Sequence, residues 1–115
     1  MKDPDRIVSL TARRLDCPLR EAFAISGGTQ SVARNLLVSL RLADGTVGWG
    51  ECAPFPAFNG ETQGGTLSAI ESLRPRVLGR RIGEARAIAG ELAGRLPERA
   101  CARAGIEIAL VDAWS

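Results

Sequence analysis

Few side chains in this sequence could carry acid–base or nucleophilic chemistry. It contains no histidine and no tyrosine, and its one lysine, Lys2, stands beside the N-terminus. The groups that could act as general bases near neutral pH are therefore carboxylates and thiols. Catalytic triads, HExxH zinc motifs and Schiff-base lysines are excluded or nearly so. We do not expect these 115 residues to be an enzyme by themselves.

The thiols and carboxylates show no catalytic spacing. The three cysteines are far apart and form no CxxC pair, which favours free, buried thiols over a disulfide framework or a zinc site. This interpretation is weakest for Cys52, because Cys52 opens an unusual loop. Glu51, at the end of a predicted strand, is interpreted as a structural hydrogen-bond acceptor to the neighbouring loop. Glu107 and Asp112 are five residues apart, about 140° around a helix, and cannot form a catalytic pair.

The stretch GWGECAPFPAFNGETQ, Gly48 to Gln63, holds three of the five aromatic side chains beside prolines and glycines. Aromatic residues that serve a protein's own core usually lie inside regular helices or strands. On a connection interrupted by proline and glycine they often contact something else. These aromatic residues are therefore expected to contact something other than the core of this domain.

Composition is that of an ordinary single globular domain, with 45% hydrophobic and 24% charged residues. The net charge is only +2, and basic residues alternate with acidic ones, so nucleic-acid binding has little electrostatic support. No run reaches the roughly 18 apolar residues of a membrane span, and the first residues lack the apolar segment of a signal peptide. The expected compartment is the cytoplasm.

Periodicity predicts three antiparallel strands, and so a meander, in the first half of the chain. A first strand runs from Ile7 to about Asp16 and is followed by a long loop containing Pro18, Gly27 and Gly28. A second strand runs from about Ala33 to Leu42. Asp44-Gly45 then predicts a type I′ hairpin turn into the third strand, because that turn needs positive φ at both central residues.

Three helices are predicted in the second half, giving an α+β fold class. Gly79 is expected to end the first helix, and Pro75 to kink or break its last turn. The third helix is apolar on more than one side, so we expect the chain to continue or a partner to cover it, and the isolated piece to self-associate. The predicted buried faces are Leu67, Ile70, Leu73, Val77 and Leu78, then Ala85, Ile88, Ala89, Leu92 and Leu96, then Cys101, Ala104, Ile108 and Val111, with Ile106, Leu110 and Trp114 left exposed.

Three segments in this order resemble the N-terminal capping domain of the enolase superfamily, in its muconate-lactonising branch. They are PLREAFAISGGTQ, then DGTVGWGECAPFPAFNGET, then ARAGIEIALVDA. Within the branch the chain looks most like dipeptide epimerases of the L-Ala-D/L-Glu type. The resemblance extends from about Ile7 to the end, and its most specific pieces are Gly48-Trp49-Gly50-Glu51 with the loop that follows, and the helix Ala104 to Ala113.

The resemblance implies a lid over a (β/α)-barrel that lies beyond Ser115, so that residues 1–115 form one capping domain. In the family the barrel carries two lysine bases and three carboxylates that bind a divalent metal, usually Mg²⁺, and the proton alpha to a substrate carboxylate is removed. No catalytic or metal-binding residue is therefore expected in this chain. Glu107 and Asp112 are interpreted as contacts to the barrel. The full-length protein is expected to be a homo-oligomer.

The resemblance also implies a substrate pocket formed by two loops of this chain. The substrate-binding residues expected from them are Phe23, Ile25, Ser26, Gly27, Gly28, Thr29, Phe55, Phe58 and Asn59. Some epimerases have an arginine where this sequence has Gly27-Gly28, so the resemblance does not decide whether the preferred dipeptide has an acidic side chain. Arg20 and Arg34 could take the place of that arginine, but both are interpreted as surface residues. Two alternatives remain: a cycloisomerase or o-succinylbenzoate synthase of the same superfamily, and a stand-alone lid that binds a ligand or partner without catalysis.

Overall fold

The chain folds as a three-stranded antiparallel sheet followed by three helices. The computed structural model describes residues 3–25, 28–54, 60–95 and 100–115, with 17–25 and 28–33 described by their backbone alone. The strands, in the order β1-β2-β3, confirm the predicted meander and the α+β class. The elements are β1 (Ile7–Ile25), β2 (Gly28–Leu42), β3 (Val47–Cys52), α1 (Gln63–Val77), a 3₁₀ turn (Ile82–Glu84), α2 (Ala85–Arg95) and α3 (Ala100–Trp114).

Strands β1 and β2 continue well past the point where the sequence predicts a loop. The pairing passes Cys17↔Ala33 and Pro18↔Val32 and resumes, after a register shift, at Phe23↔Gln30. The predicted end of β1 near Asp16 is therefore wrong. Proline lacks an N–H, but it is tolerated on an edge strand and beside a bulge, and β1 is an edge strand next to a register shift. We call residues 17–25 and 28–33 the hairpin arm.

The hairpin between β2 and β3 is confirmed, but its turn is not of type I′. Gly45 has φ of 96°, whereas no non-glycine residue in the described part of the chain has a positive φ, so Asp44 does not. The Gly45 N–H donates to the Leu42 carbonyl at 3.0 Å, and the Thr46 N–H donates to the Asp44 carboxylate at 2.8 Å. Asp44 thus stabilises this turn through the hydrogen bond that its carboxylate accepts.

Helices α1 and α2 bury the predicted faces in most positions. Ile70, Leu73 and Val77 of α1 and Ala85, Ile88 and Leu92 of α2 lie in one core with the sheet. Leu78 is exposed and forms the C-cap, and Gly79, with φ of 84°, ends the segment as predicted. The helix is not broken at Pro75, since it continues to Val77. Pro75 and Glu71 are both exposed, so water can reach the Glu71 carbonyl that lacks an intrahelical donor. Leu96 lies outside the described residues.

The buried face of α3 is different from the predicted one. Ile106 and Leu110 are buried, whereas Ala104, Ile108 and Val111 are exposed, so both assignments for this helix are corrected. The reason is that small residues, and not only large apolar ones, form the buried stripe. That stripe consists of Ala102, Gly105, Ile106, Ala109, Leu110 and Ala113.

Close backbone contact joins α3 to β3. A Cβ atom at Gly48 would collide with the Ala109 carbonyl, and one at Gly50 with the Gly105 carbonyl. A Cβ at Gly105 would collide with the Cys52 sulfur. The glycines of the Gly48-Trp49-Gly50 motif therefore allow the helix to lie directly on the strand. We call this contact the glycine seam.

Asp112 contributes to the same packing. Its carboxylate accepts a hydrogen bond from the Trp49 backbone N–H at 2.8 Å. Asp112 thus ties α3 to the outer edge of β3, and its interpretation as a contact to the barrel stays a prediction. None of the helices in the described part of the chain is long and apolar enough to cross a bilayer.

Candidate functional site

The residues expected to bind substrate fall into two groups. The backbone of Phe23, Ile25, Gly28 and Thr29 lies at the tip of the hairpin arm, where Ile25 pairs with Gly28 and Ala24 with Thr29. Ser26 and Gly27, and all three expected residues of the second loop, Phe55, Phe58 and Asn59, lie outside the described residues. The convergence of the two groups on one pocket therefore stays a prediction.

The second loop leaves the sheet beside Asn35 of β2. We call residues 53–62, between β3 and α1, the connection. At its start, the Asn35 side-chain amide donates to the Glu51 carboxylate at 2.6 Å. Glu51 is therefore a structural hydrogen-bond acceptor as predicted, but its partner lies on the adjacent strand and not on the neighbouring loop. Cys52 and Pro54, which follow it, are buried.

The other end of the connection is held by Gln63, the first residue of α1. The side chain of Gln63 is 7% exposed. Its amide nitrogen donates to the Asp16 carboxylate at 2.8 Å and to the Asn35 carbonyl at 2.9 Å. Its amide oxygen accepts from the Arg14 guanidinium at 3.3 Å. Gln63 therefore joins the end of the connection to both strands at the base of the hairpin arm.

Two neighbouring residues complete this end. Thr62 caps α1, because its hydroxyl accepts from the Gly65 N–H at 3.0 Å. Glu61 is buried, and its carboxylate accepts from the Cys101 N–H at 3.3 Å, in the first turn of α3. A carboxylate is favourable at this end of a helix, where backbone N–H groups lack partners. The end of the connection is thus bonded to β1 and β2 through Gln63, to α1 through Thr62 and to α3 through Glu61.

Two described arginines near the arm, Arg14 and Arg34, have partners within this chain. The Arg34 guanidinium lies 3.9 Å from the Asp16 carboxylate and is 66% exposed, which confirms its interpretation as a surface residue. Arg14 is bonded to Gln63. The side chain of Arg20 lies outside the described residues. Arg14 and Arg34 lie at the base of the arm, whereas the expected ligand-binding residues lie at its tip.

Cys52 is buried at the start of the connection, as a small hydrophobic residue would be. Burial is the main reason that the pKa of its thiol rises to about 11, and the nearby Cys101 thiol also raises it. A thiol that stays protonated is a poor nucleophile. The structure therefore supports a packing role for Cys52 and gives no support to covalent catalysis at this position.

The described residues do not fit a metal ion. The residues whose side chains the structure describes contain no group of three or more Cys, Asp or Glu able to hold one. Mg²⁺ needs several oxygen ligands in octahedral arrangement.

An apolar patch on α3 remains open to solvent. Ile108, Val111 and Trp114 are 52%, 61% and 54% exposed. A shallow groove beside them is lined by Arg86 and Ala89 of α2. The exposed patch predicted for α3 is therefore present, but it contains Ile108 and Val111 in place of Ile106 and Leu110.

Comparison with known proteins gives consistent matches. The model of the mandelate racemase/muconate lactonizing enzyme N-terminal domain matches residues 7–115. An aromatic dipeptide epimerase of Herpetosiphon aurantiacus is 48% identical over 110 residues, which are 96% of this chain and 31% of that protein. The L-Ala-D/L-Glu epimerase of Bacillus subtilis is 30% identical over 96% of this chain and 30% of that protein.

A solved structure extends this similarity to the backbone. The dipeptide epimerase of Enterococcus faecalis, crystallised with Mg and the dipeptide L-Leu-L-Tyr, gives a TM-score of 0.84 at 30% identity. The match covers 91% of this chain and 30% of that one. The chain therefore spans about 30% of the length of the relatives it matches.

Proposed function

Since the chain belongs to the mandelate racemase/muconate lactonizing enzyme family, through the N-terminal domain of that family, we propose that it is the substrate-capping domain of a dipeptide epimerase. The observation that carries the proposal is the 48% identity to an aromatic dipeptide epimerase over nearly the whole chain. The similarity to epimerases of this type extends to relatives that are only 30% identical. The reaction is an isomerisation, in which the configuration at one carbon is inverted.

In this proposal the hairpin arm and the connection cover the bound dipeptide. A lid of this kind excludes water, which strengthens the electrostatic interactions around a reacting group and protects a reactive intermediate. The bases and the metal ligands belong to a part of the polypeptide outside these residues. Mg²⁺, when bound there, would stabilise the negative charge that develops as the proton alpha to the carboxylate leaves.

We further propose that the preferred dipeptide carries an apolar or aromatic side chain. Gly27-Gly28 stands where some epimerases have an arginine, so the sequence offers no cation at that point for an acidic side chain. Of the arginines described near the arm, Arg14 and Arg34 are engaged by Gln63 and Asp16 at its base. The identity to the aromatic dipeptide epimerase, 48%, also exceeds that to the L-Ala-D/L-Glu epimerase, 30%.

The first experiment is the intact mass of the polypeptide in its source, followed by a dipeptide screen. We expect a mass larger than 12.2 kDa by a barrel of about 250 residues. The full polypeptide with Mg²⁺ should then exchange the alpha hydrogen of apolar L-L dipeptides for deuterium from D₂O, detected by NMR. Exchange only with acidic dipeptides would contradict the substrate preference. A mass near 12.2 kDa, or no exchange with any dipeptide, would contradict the proposed function.

The isolated 115 residues serve as the matched negative control. We expect them to show no exchange with the same dipeptides and Mg²⁺, because their described part contains no metal-ligand cluster and the sequence has neither histidine nor a second lysine. Exchange catalysed by this piece alone would contradict the assignment of the bases to another part of the polypeptide.

A further inference from the structure

We propose that Gln63 is a positioning residue that, together with Asn35, holds the hairpin arm and both ends of the connection in one fixed arrangement. The inference rests on the proposed function, because it takes the arm and the connection to be the parts that cover the dipeptide. Gln63 itself lies at the base of the arm, on the first residue of α1, and is not expected to touch the substrate.

The hydrogen bonds of Gln63 fix the orientation of its amide. Both hydrogens of the nitrogen are used, one by Asp16 and one by the Asn35 carbonyl, and the oxygen faces the Arg14 guanidinium. Rotating the amide by 180° would place its oxygen against two acceptors and its nitrogen against a cation. In a side chain that is 7% exposed, water cannot easily replace these partners. The amide therefore holds β1, β2 and the start of α1 at a defined separation.

Asn35 carries this constraint to the other end of the connection. Its carbonyl accepts from Gln63, and its side-chain amide donates to Glu51, which directly precedes Cys52 at the end of β3. One residue of β2 is thus bonded to the segments on either side of residues 53–62. Asn35 therefore links the two ends of the connection, in addition to the pairing of β2 with β3 and the bond between Glu61 and Cys101.

The arm needs such a support at its base. Beyond the pairs Leu15↔Asn35 and Asp16↔Arg34 it continues as two paired strands, while β3 ends opposite Leu36. A two-stranded hairpin is only marginally stable by itself in water. The ladder of the arm is also interrupted by the register shift between Pro18 and Phe23. The residues at its base therefore help to set its direction, and among the described contacts there Gln63 contributes one from the helical half of the domain.

The test replaces Gln63 by methionine in the full polypeptide encoded by the gene. Methionine has a similar length and no hydrogen-bonding amide, so Gln63→Met removes the three bonds with little change in volume. Thr66→Val is the matched control, because Thr66 lies one turn further along α1, is buried, and its hydroxyl has no hydrogen-bond partner among the described residues. Asn35→Ala is a milder variant that removes the bond to Glu51 and retains the carbonyl bonded to Gln63.

The readouts are amide hydrogen exchange, followed by mass spectrometry, and steady-state kinetics. In Gln63→Met we expect the amide exchange rate to be at least tenfold higher than in the wild type in residues 28–33 of the arm and in residues 60–62. In Asn35→Ala we expect the same increase in residues 51–54. Thr66→Val should leave all three segments unchanged. For the apolar dipeptides turned over by the wild type, KM should rise about tenfold in Gln63→Met while kcat changes less than threefold.

Exchange that changes only within α1 in Gln63→Met would overturn the inference, since Gln63 would then act only on its own helix. Unchanged exchange in residues 28–33 with Gln63→Met, or in 51–54 with Asn35→Ala, would also overturn it, whether or not activity falls. The wild type could lack epimerase activity while Gln63→Met still shows faster exchange in the arm and in residues 60–62. That result would support the positioning role of Gln63 and contradict the proposed function. The two proposals can therefore fail separately.

Discussion

At the scale of single residues, Cys52 is a titratable side chain that is almost completely buried. Its sulfur lies in the glycine seam, against the position where a Gly105 Cβ would be. Burial raises the pKa of the thiol from its usual 9.0 to about 11, with Cys101 as the second cause. The unfolded chain therefore loses the Cys52 proton at a lower pH than the folded chain does.

This difference predicts a loss of stability at alkaline pH. Between pH 9 and 11 the unfolded state binds fewer protons at Cys52 than the folded state, so the free energy of unfolding should fall as the pH rises, by at most about 2–3 kcal/mol. Urea titrations at pH 8.5 and pH 11 measure it. The sequence has no tyrosine and one lysine, so few other groups titrate in this range.

Cys52→Ala is the control for this prediction. It keeps the other two thiols, Lys2 and the N-terminal amine, and removes the buried one. We expect the stability of this variant to fall much less between the two pH values. An equal fall in the variant and the wild type would show that Cys52 is not the group responsible.

The role of single residues could be predicted only where their chemistry is local. The positive φ of Gly45, the end of the first helical segment at Gly79 and the packing role of Cys52 were predicted from residue type and neighbours. Gln63 and Asn35 were not, because a glutamine beside a threonine N-cap and an asparagine in a strand are usually solvated. Their importance comes from partners 16 to 49 positions away in sequence, which no local pattern indicates.

At the scale of elements, the glycine seam gives the sharpest prediction. A methyl group at Gly50 would collide with the backbone of α3, and a backbone carbonyl cannot move aside as a side chain can. Gly50→Ala should therefore lower the free energy of unfolding by about 3 kcal/mol or more, at the upper end for an overpacked core. Urea unfolding followed by circular dichroism measures the change.

Gly90→Ala is the matched control for this substitution. Gly90 lies inside α2, is exposed, and has no atom within 4 Å of a built Cβ. The same change from glycine to alanine should there raise the free energy of unfolding by about 1 kcal/mol, because alanine favours the helix. A similar effect at the two positions would contradict close packing as the reason for Gly50.

The number, type and order of the elements could be predicted, but not the extent of the arm or the buried face of α3. Pro18 and the glycine pair indicate a loop by local rules, and only the pairing across the sheet extends β1 beyond them. Ile108 and Val111 have larger side chains than Gly105 and Ala109. Periodicity therefore favoured the wrong stripe, since close backbone packing selects small residues.

At the scale of the whole molecule, the apolar patch of Ile108, Val111 and Trp114 predicts how the 115 residues behave alone. An exposed patch of this kind favours association. We expect the isolated chain to form dimers or larger species at high concentration, detected by sedimentation velocity. Val111→Glu should shift the distribution towards monomer, because a charge in the contact is unfavourable.

Val8→Glu is the control, since Val8 on β1 is also exposed, at 49%, and lies away from this patch. It should leave the association of the chain unchanged. A chain that remains monomeric at high concentration, or an equal effect of the two substitutions, would contradict the role of the α3 patch.

The glycine seam also sets the time at which the sheet can be completed during synthesis. The inner face of β3 consists of Gly48, Gly50 and Cys52, so this strand buries little until α3 lies on it. The Asp112 that takes up the Trp49 N–H is made 63 residues later. Because translation proceeds from the N-terminus at about 5–20 residues per second, a ribosome-bound chain carries an uncovered β3 for several seconds. During that interval β3 is open to chaperones and to neighbouring nascent chains.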